Sequence, residues 1–170
     1  MLEAQAHNQL KLLLKSESTV WPQNLTLSRL VSRSLRRKDK SFIQLPIGTQ
    51  EFWWPGLLIP LCLQSSEAVL ILSKQQQLRL FNYELPRLKE LGLYLPLWEE
   101  LKPPPKGKVW VLNHHDFFIA FQREYLLSKQ LIFPEAEFLG GRLRDAMSIE
   151  ISHSDWEHLR RSYPHFDSAF

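Results

Sequence analysis

The stretch AVLILSKQQQLRLFNYELPRL, residues 68–88, decides the fold class. Its first six residues form an apolar run with no polar alternation. That is the pattern of a strand buried on both faces, and it predicts a strand over 68–73. The spacing then changes. Leu78, Phe81, Leu85 and Leu88 recur every three or four residues, which predicts a helix over about 74–91, kinked or shortened by Pro86. A doubly buried strand leading into a helix is half of a β-α-β unit. The pattern returns elsewhere. A short apolar run at 41–45 reads as a strand. KVWVL (108–112) is another, followed by a helix at about 116–128 capped by Asn113 or Asp116. QLIF (130–133) is a fourth short apolar run, and SIEIS (148–152) is a further candidate. The whole reads as an α/β fold with a mostly parallel central sheet and helices on both faces.

Upstream, Leu2, Ala6, Leu10, Leu13 and Leu14 have helical spacing. A second helix is expected from a Thr26 cap, with Leu27, Leu30, Val31 and Leu35 as its apolar stripe. Its other face and tail carry Arg29, Arg33, Arg36, Arg37, Lys38 and Lys40, the one concentrated basic patch in the sequence. Such a patch is either a solvated helix end suited to the macrodipole or a phosphate-contacting surface. KPPPKGK (102–108) is a stiff polar connection, and Ser154 with Glu157 has capping-box spacing for a last short helix. One domain, 1–170, is expected. It has a helical segment at 1–40, a sheet core at 41–135 containing the Pro-rich connection at 102–107, and a helix/strand/helix end at 136–170.

With 170 residues, 44% hydrophobic and 23% charged, the chain can bury a core. No apolar run approaches the roughly 20 residues of a membrane span, and Pro55 and Pro60 interrupt the longest, Trp53 to Leu63. Glu3 and the lack of a small-residue cleavage site argue against a secretory leader, so a cytoplasmic protein with no membrane partner is expected. The single Cys62, between Leu61 and Leu63, excludes an intramolecular disulfide and a four-cysteine metal site, and reads as an inert buried thiol. The histidines are scattered and no metal site is expected. A net charge of +3 permits nucleic-acid contact without requiring it.

Parallel sheets carry their functional loops at the carboxyl ends of strands, here after residues 45, 112 and 133. The first loop holds Gln44, Pro46, Gly48 and Thr49, followed by Gln50, Glu51 and Phe52. The second holds Asn113 and His114, and the third Pro134, Glu135, Ala136 and Glu137. In this order, with VLILSKQQQL between the first two, the set resembles the first motor domain of superfamily-two DNA helicases of the DinG/XPD type. WPQNLTLSRLVSRSL, further upstream, is similar to the N-terminal helix of cyanobacterial helicase-like members.

The resemblance implies a RecA-like domain in which 46–52 occupy the place of the phosphate loop and 134–137 that of the acidic box. The residues with the most chemistry depart from the pattern. Gln50, Glu51 and Phe52 stand where glycine, lysine and a hydroxyl residue would grip phosphates and magnesium. Pro134 replaces the metal-holding aspartate and Glu137 the histidine. Glu135, at the place of the water-activating carboxylate, is retained. The expected protein is therefore helicase-like with a degenerate nucleotide site. It would bind nucleotide weakly or not at all, with no ATP–magnesium cofactor, carry no iron–sulphur cluster and hydrolyse no ATP. Weak nucleic-acid binding would run through Arg29, Arg33, Arg36 and Arg37, with stacking on exposed members of Trp53 and Trp54. The alternative is a non-catalytic protein-interaction module that uses the apolar Trp53/Trp54 segment as its anchor.

Overall fold

The computed structural model describes residues 2–16, 21–46, 52–64, 68–149 and 151–163. Two amphipathic helices, α1 (Leu2–Ser16) and α2 (Asn24–Arg37), pack against each other and against α3 (Trp54–Leu63). The second helix starts two residues before the expected Thr26 cap and closes on Lys38, whose left-handed φ of 56° turns its N–H back to the Ser34 carbonyl. α3, WPGLLIPLCL, has no polar side, and every residue from Trp54 to Leu61 is buried. A helix that is apolar all round belongs in the interior, and α3 lies beneath α1 and α2.

Four parallel strands follow among the described residues: β1 (Ala68–Ile71), β2 (Leu97–Trp98), β3 (Val109–Leu112) and β4 (Gln130–Ile132), in the order β2-β3-β1-β4. Val69 stands opposite both Trp110 and Leu131, so β1 is the axis of the sheet. Each strand divides its residues between two cores. Ala68, Leu70, Val109 and Val111 face α1–α3. Val69, Ile71, Trp110 and Leu112 face α6 (His114–Gln122) through Phe117 and Ala120. Helices therefore cover both faces, as the unbroken apolar runs require.

The expected strand at 41–45 is not formed. Residues 41–46 have neither strand nor helix, and Phe42 is 80% exposed while Ile43 and Leu45 only flank the core. SIEIS likewise has no strand among its described residues. β2 was not expected. It is two residues long, and the Pro-rich residues after it return the chain to β3 as an extended strap instead of a helix. Two indole N–H groups fasten that strap: Trp98 Nε1 donates to the Lys102 carbonyl at 2.9 Å and Trp110 Nε1 to the Glu100 carbonyl at 2.8 Å.

The expected helix over 74–91 is present as α4 (Lys74–Arg79), a π turn (Leu80–Glu84) and α5 (Leu85–Glu90). The π turn ends where Leu85 N–H reaches Leu80 O, one residue before Pro86, which has no N–H to give. Its buried face differs from the expected one. Gln76, Leu80, Glu84 and Leu88 point inward, while Leu78 is exposed. Both polar members find partners for their side-chain oxygens, while Gln76 Nε2 is buried without one. Gln76 completes a capping box with Ser73, and Glu84 lies between Arg79 (3.0 Å) and Arg87 (3.2 Å).

Burial nonetheless outweighs the two guanidinium groups and raises the Glu84 carboxyl above its ordinary range. A raised folded-state pKa means the native state holds this proton more tightly, so this contribution to stability falls as pH rises through that pKa. Relative to Glu84→Gln, the native protein should gain stability on going from neutral to mildly acidic pH. Thermal melts of the two proteins across that range measure the difference; a drift in favour of the glutamine protein would show that the ion pairs win.

Candidate functional site

Adjacent strands β1 and β3 send their chains to opposite faces, β1 into α4 and α5 on the α3 side and β3 into α6 on the other. That is the arrangement that opens a crevice at the carboxyl edge of an open parallel sheet. Of the three expected loops, two lie at this edge. Asn113 follows β3 and caps α6, its Oδ1 accepting from Asp116 N–H at 2.8 Å while its Nδ2 donates to Asp116 Oδ2 at 2.6 Å. His114 opens the helix beside it, so α6 begins two residues earlier than expected and ends at Gln122 instead of near 128. Pro134 and Glu135 follow β4 in a turn, then come a 3-10 turn (Ala136–Phe138) and α7 (Leu139–Met147).

Glu135 does not stand free. It is ion-paired with Arg142 of α7, and that guanidinium also sits over the Phe138 ring, 5.5 Å from its centroid. Arg142 was not anticipated from the sequence, because nothing in GGRLRD says which arginine turns inward. His114 lies within electrostatic reach of both. Partial burial lowers its pKa, Arg142 lowers it further, and Glu135 opposes them. His115 Nδ1 lies 3.2 Å from the Ala146 carbonyl and ties α6 to the end of α7. Asn113, His114 and Glu135 are thus brought to one edge. Ala136 and Glu137 are exposed there, and a shallow groove of about 420 Å³ runs along Glu137, Phe138, Gly141, Arg142 and Asp145. A carboxylate held by a guanidinium is poorly placed to take a proton from water.

The first loop is different. Gly48, Thr49, Gln50 and Glu51 lie outside the described residues. Pro46 before them is exposed and ends no strand, and Phe52 after them is half-exposed. The start of α3 just beyond is already occupied. Pro55 has no N–H, and the Gly56 N–H donates to Oδ1 of the buried Asn24 at 3.1 Å. Asn24 Nδ2 in turn donates to the Phe52 carbonyl at 2.8 Å. Of the first-turn amides that would face an anion, that of Pro55 is therefore missing and that of Gly56 taken.

Trp53 and Trp54 correct the sequence reading. They stack on each other with centroids 4.4 Å apart and are buried in the core, so neither offers a face to a nucleic acid or a partner. The apolar run that contains them is an interior helix. Cys62 is partly buried, and desolvation pushes its thiol up to about 12, which leaves it unreactive at neutral pH.

The basic residues of α2 are all at the surface. Arg36 pairs with Glu3 at 2.8 Å and Arg37 with Asp39 at 3.7 Å; Arg29 and Arg33 have no acidic partner among the described residues. The Glu3–Arg36 contact sets α1 antiparallel to α2. α1 adds Lys11 and Lys15, both exposed, which the sequence reading did not include. Eight of the chain's 21 lysines and arginines, but three of its 18 acidic residues, fall in residues 1–40. No helix of the described residues is long and apolar enough to cross a membrane. No family model, curated protein or solved structure matches the chain.

Proposed function

We propose that this protein is a helicase-like α/β domain that binds nucleic acid weakly through α1 and α2 and does not hydrolyse ATP. The concentration of exposed cations on those two helices carries the reading: Arg29 and Arg33, without acidic partners among the described residues, lie on a layer that holds most of the excess positive charge. Binding is electrostatic and sequence-tolerant, because cations on a helix surface meet phosphates and read no base edges. Two features support the loss of turnover. Pro134 stands in place of a metal-holding carboxylate, and Glu135 is engaged by Arg142. The occupied start of α3 supports the loss of phosphate grip.

Fluorescence anisotropy with a labelled oligonucleotide tests the reading. Affinity should fall steeply with salt, and Arg29→Glu with Arg33→Glu should flatten the slope by about 0.7–0.9 per lost phosphate contact. A salt-independent signal, or one untouched by the double reversal, would remove α2 as the binding face. In the same preparation no ATP turnover is expected; hydrolysis that Glu135→Gln abolishes would overturn the inactive site.

A further inference from the structure

We propose that Phe42 is a base-stacking platform at the end of the α2 cation row, and that the ligand of this face is single-stranded nucleic acid. The role rests on the reading that α1 and α2 bind nucleic acid, and it names the form they take. Phe42 is the most exposed aromatic side chain among the described residues, at 80%. Its backbone is nevertheless fastened on both sides. α2 closes on Lys38, and Ser34 gathers the turn that follows. The Ser34 carbonyl accepts from the Lys38 and Asp39 N–H groups, and its Oγ donates to the Asp39 carbonyl at 3.1 Å. Ser41 Oγ lies 2.8 Å from the same hydroxyl. Just after Phe42, Ile43 and Leu45 pack against the core, which leaves Phe42, Gln44 and Pro46 on the outside.

The ring stands in a basic setting. Arg29, Arg33, Arg36 and Arg37 share one side of α2 at three- and four-residue spacing, and Lys38 and Lys40 continue the row to Phe42, all of them exposed. Arg36 and Arg37 stay about half-exposed in their pairs with Glu3 and Asp39, and such surface pairs are weak competitors of a phosphate. Trp156 shows the contrast. It is also exposed, on α8 (His153–Ser162), but it stands between Asp155 and Glu157. The capping box of that helix is Ser152 with Asp155, in place of the expected Ser154 and Glu157.

Cations on a helix hold the phosphates of any strand. A ring at the protein surface adds to that only where a base offers its face. In a duplex each base is covered above and below by its neighbours; in a single strand the faces can be opened and stacked on an aromatic side chain. A backbone-tracking cation row that ends on an exposed ring therefore favours an unpaired strand and reads no particular sequence. Trp53 and Trp54, stacked in the core, leave this role to Phe42.

Fluorescence anisotropy with a labelled single-stranded oligonucleotide, and with the same sequence as a duplex, is the test. Phe42→Ala should weaken single-strand binding about 5- to 100-fold, the worth of one stacked base, and leave duplex binding and the salt slope unchanged. Phe42→Trp should keep the single-strand affinity. Because the ring is mostly exposed, Phe42→Ala should melt like the native protein. If Phe42→Ala costs nothing, or costs the same factor on both oligonucleotides, the stacking role is overturned. In that case the α2 face still stands wherever Arg29→Glu with Arg33→Glu weakens binding; if that reversal also changes nothing, both readings fall. Phe42-dependent binding to anionic phospholipid vesicles, with neither oligonucleotide bound, would also overturn the stacking role and assign the ring to a membrane surface.

Discussion

Trp110→Ala should destabilise the protein by about 3–5 kcal/mol, a large part of the 5–15 kcal/mol a domain normally has. The side chain is fully buried in β3, flanked by Val69 of β1 and Trp98 of β2, and packs in the core beneath α6. Truncation leaves a cavity at the centre of the sheet and frees one fastening of the strap at 99–108. Trp110→Phe separates the two effects. It keeps most of the volume and loses the indole donor, and the exposed Glu100 backbone turns to water, so about 1 kcal/mol is expected. Urea unfolding measures both. An alanine cost no larger than that of the phenylalanine protein would mean that the strap, not the packing, holds this strand.

The second large effect is expected at Asn24. Its side chain is 2% exposed and bridges two helices, accepting from Gly56 N–H and donating to the Phe52 carbonyl. Asn24→Ala leaves both groups without their partner at a buried helix end, and a loss of about 2–4 kcal/mol follows. Gly56→Ala attacks the same junction sterically. A Cβ there would lie 2.8 Å from Asn24 Oδ1 and 2.9 Å from Leu27 Cδ2, so these two buried side chains of α2 must shift, at about 1–3 kcal/mol. Since the two substitutions disturb one contact, their combination should cost less than the sum, which a double-mutant cycle by denaturant unfolding reads. Full additivity would place the glycine's importance elsewhere.

Much of the α/β pattern was legible because it rests on local periodicity. AVLI and VWVL are apolar at every position, and such runs suit strands enclosed on both sides; both are the central strands observed. The expected strand at 41–45 had comparable apolar content. It failed because a strand needs a ladder partner, and nothing in FIQL says whether one is within reach. β2 failed in the opposite sense: two residues are too short to show a period, and their pairing with β3 creates the strand. In α4 and α5 the period was right and the phase wrong. Gln76 and Glu84 could turn inward once a capping box and two arginines served them, and those partners are visible only in three dimensions.

The candidate site divides in the same way. Asn113, His114 and Glu135 were identifiable by residue type and order, and the carboxyl edge of the sheet brings them near one another. That Arg142 would hold Glu135, and that Asn24 would take the first free amide of α3, depends on residues 7 and 32 positions away. Exposure was the least legible property. Trp53 and Trp54 look like anchors in a list of residues, but α1 and α2 cover them. Trp156 drew no attention and lies at the surface. By itself the sequence determined the alternation of buried strands and helices and the clustering of positive charge near its start, because both depend on residues adjacent in the chain. Tertiary structure alone decided strand order, which carboxylate is held, and which aromatics meet solvent. Each of those depends on what distant segments place against a given side chain, and burial and pairing energies exist only once they have done so.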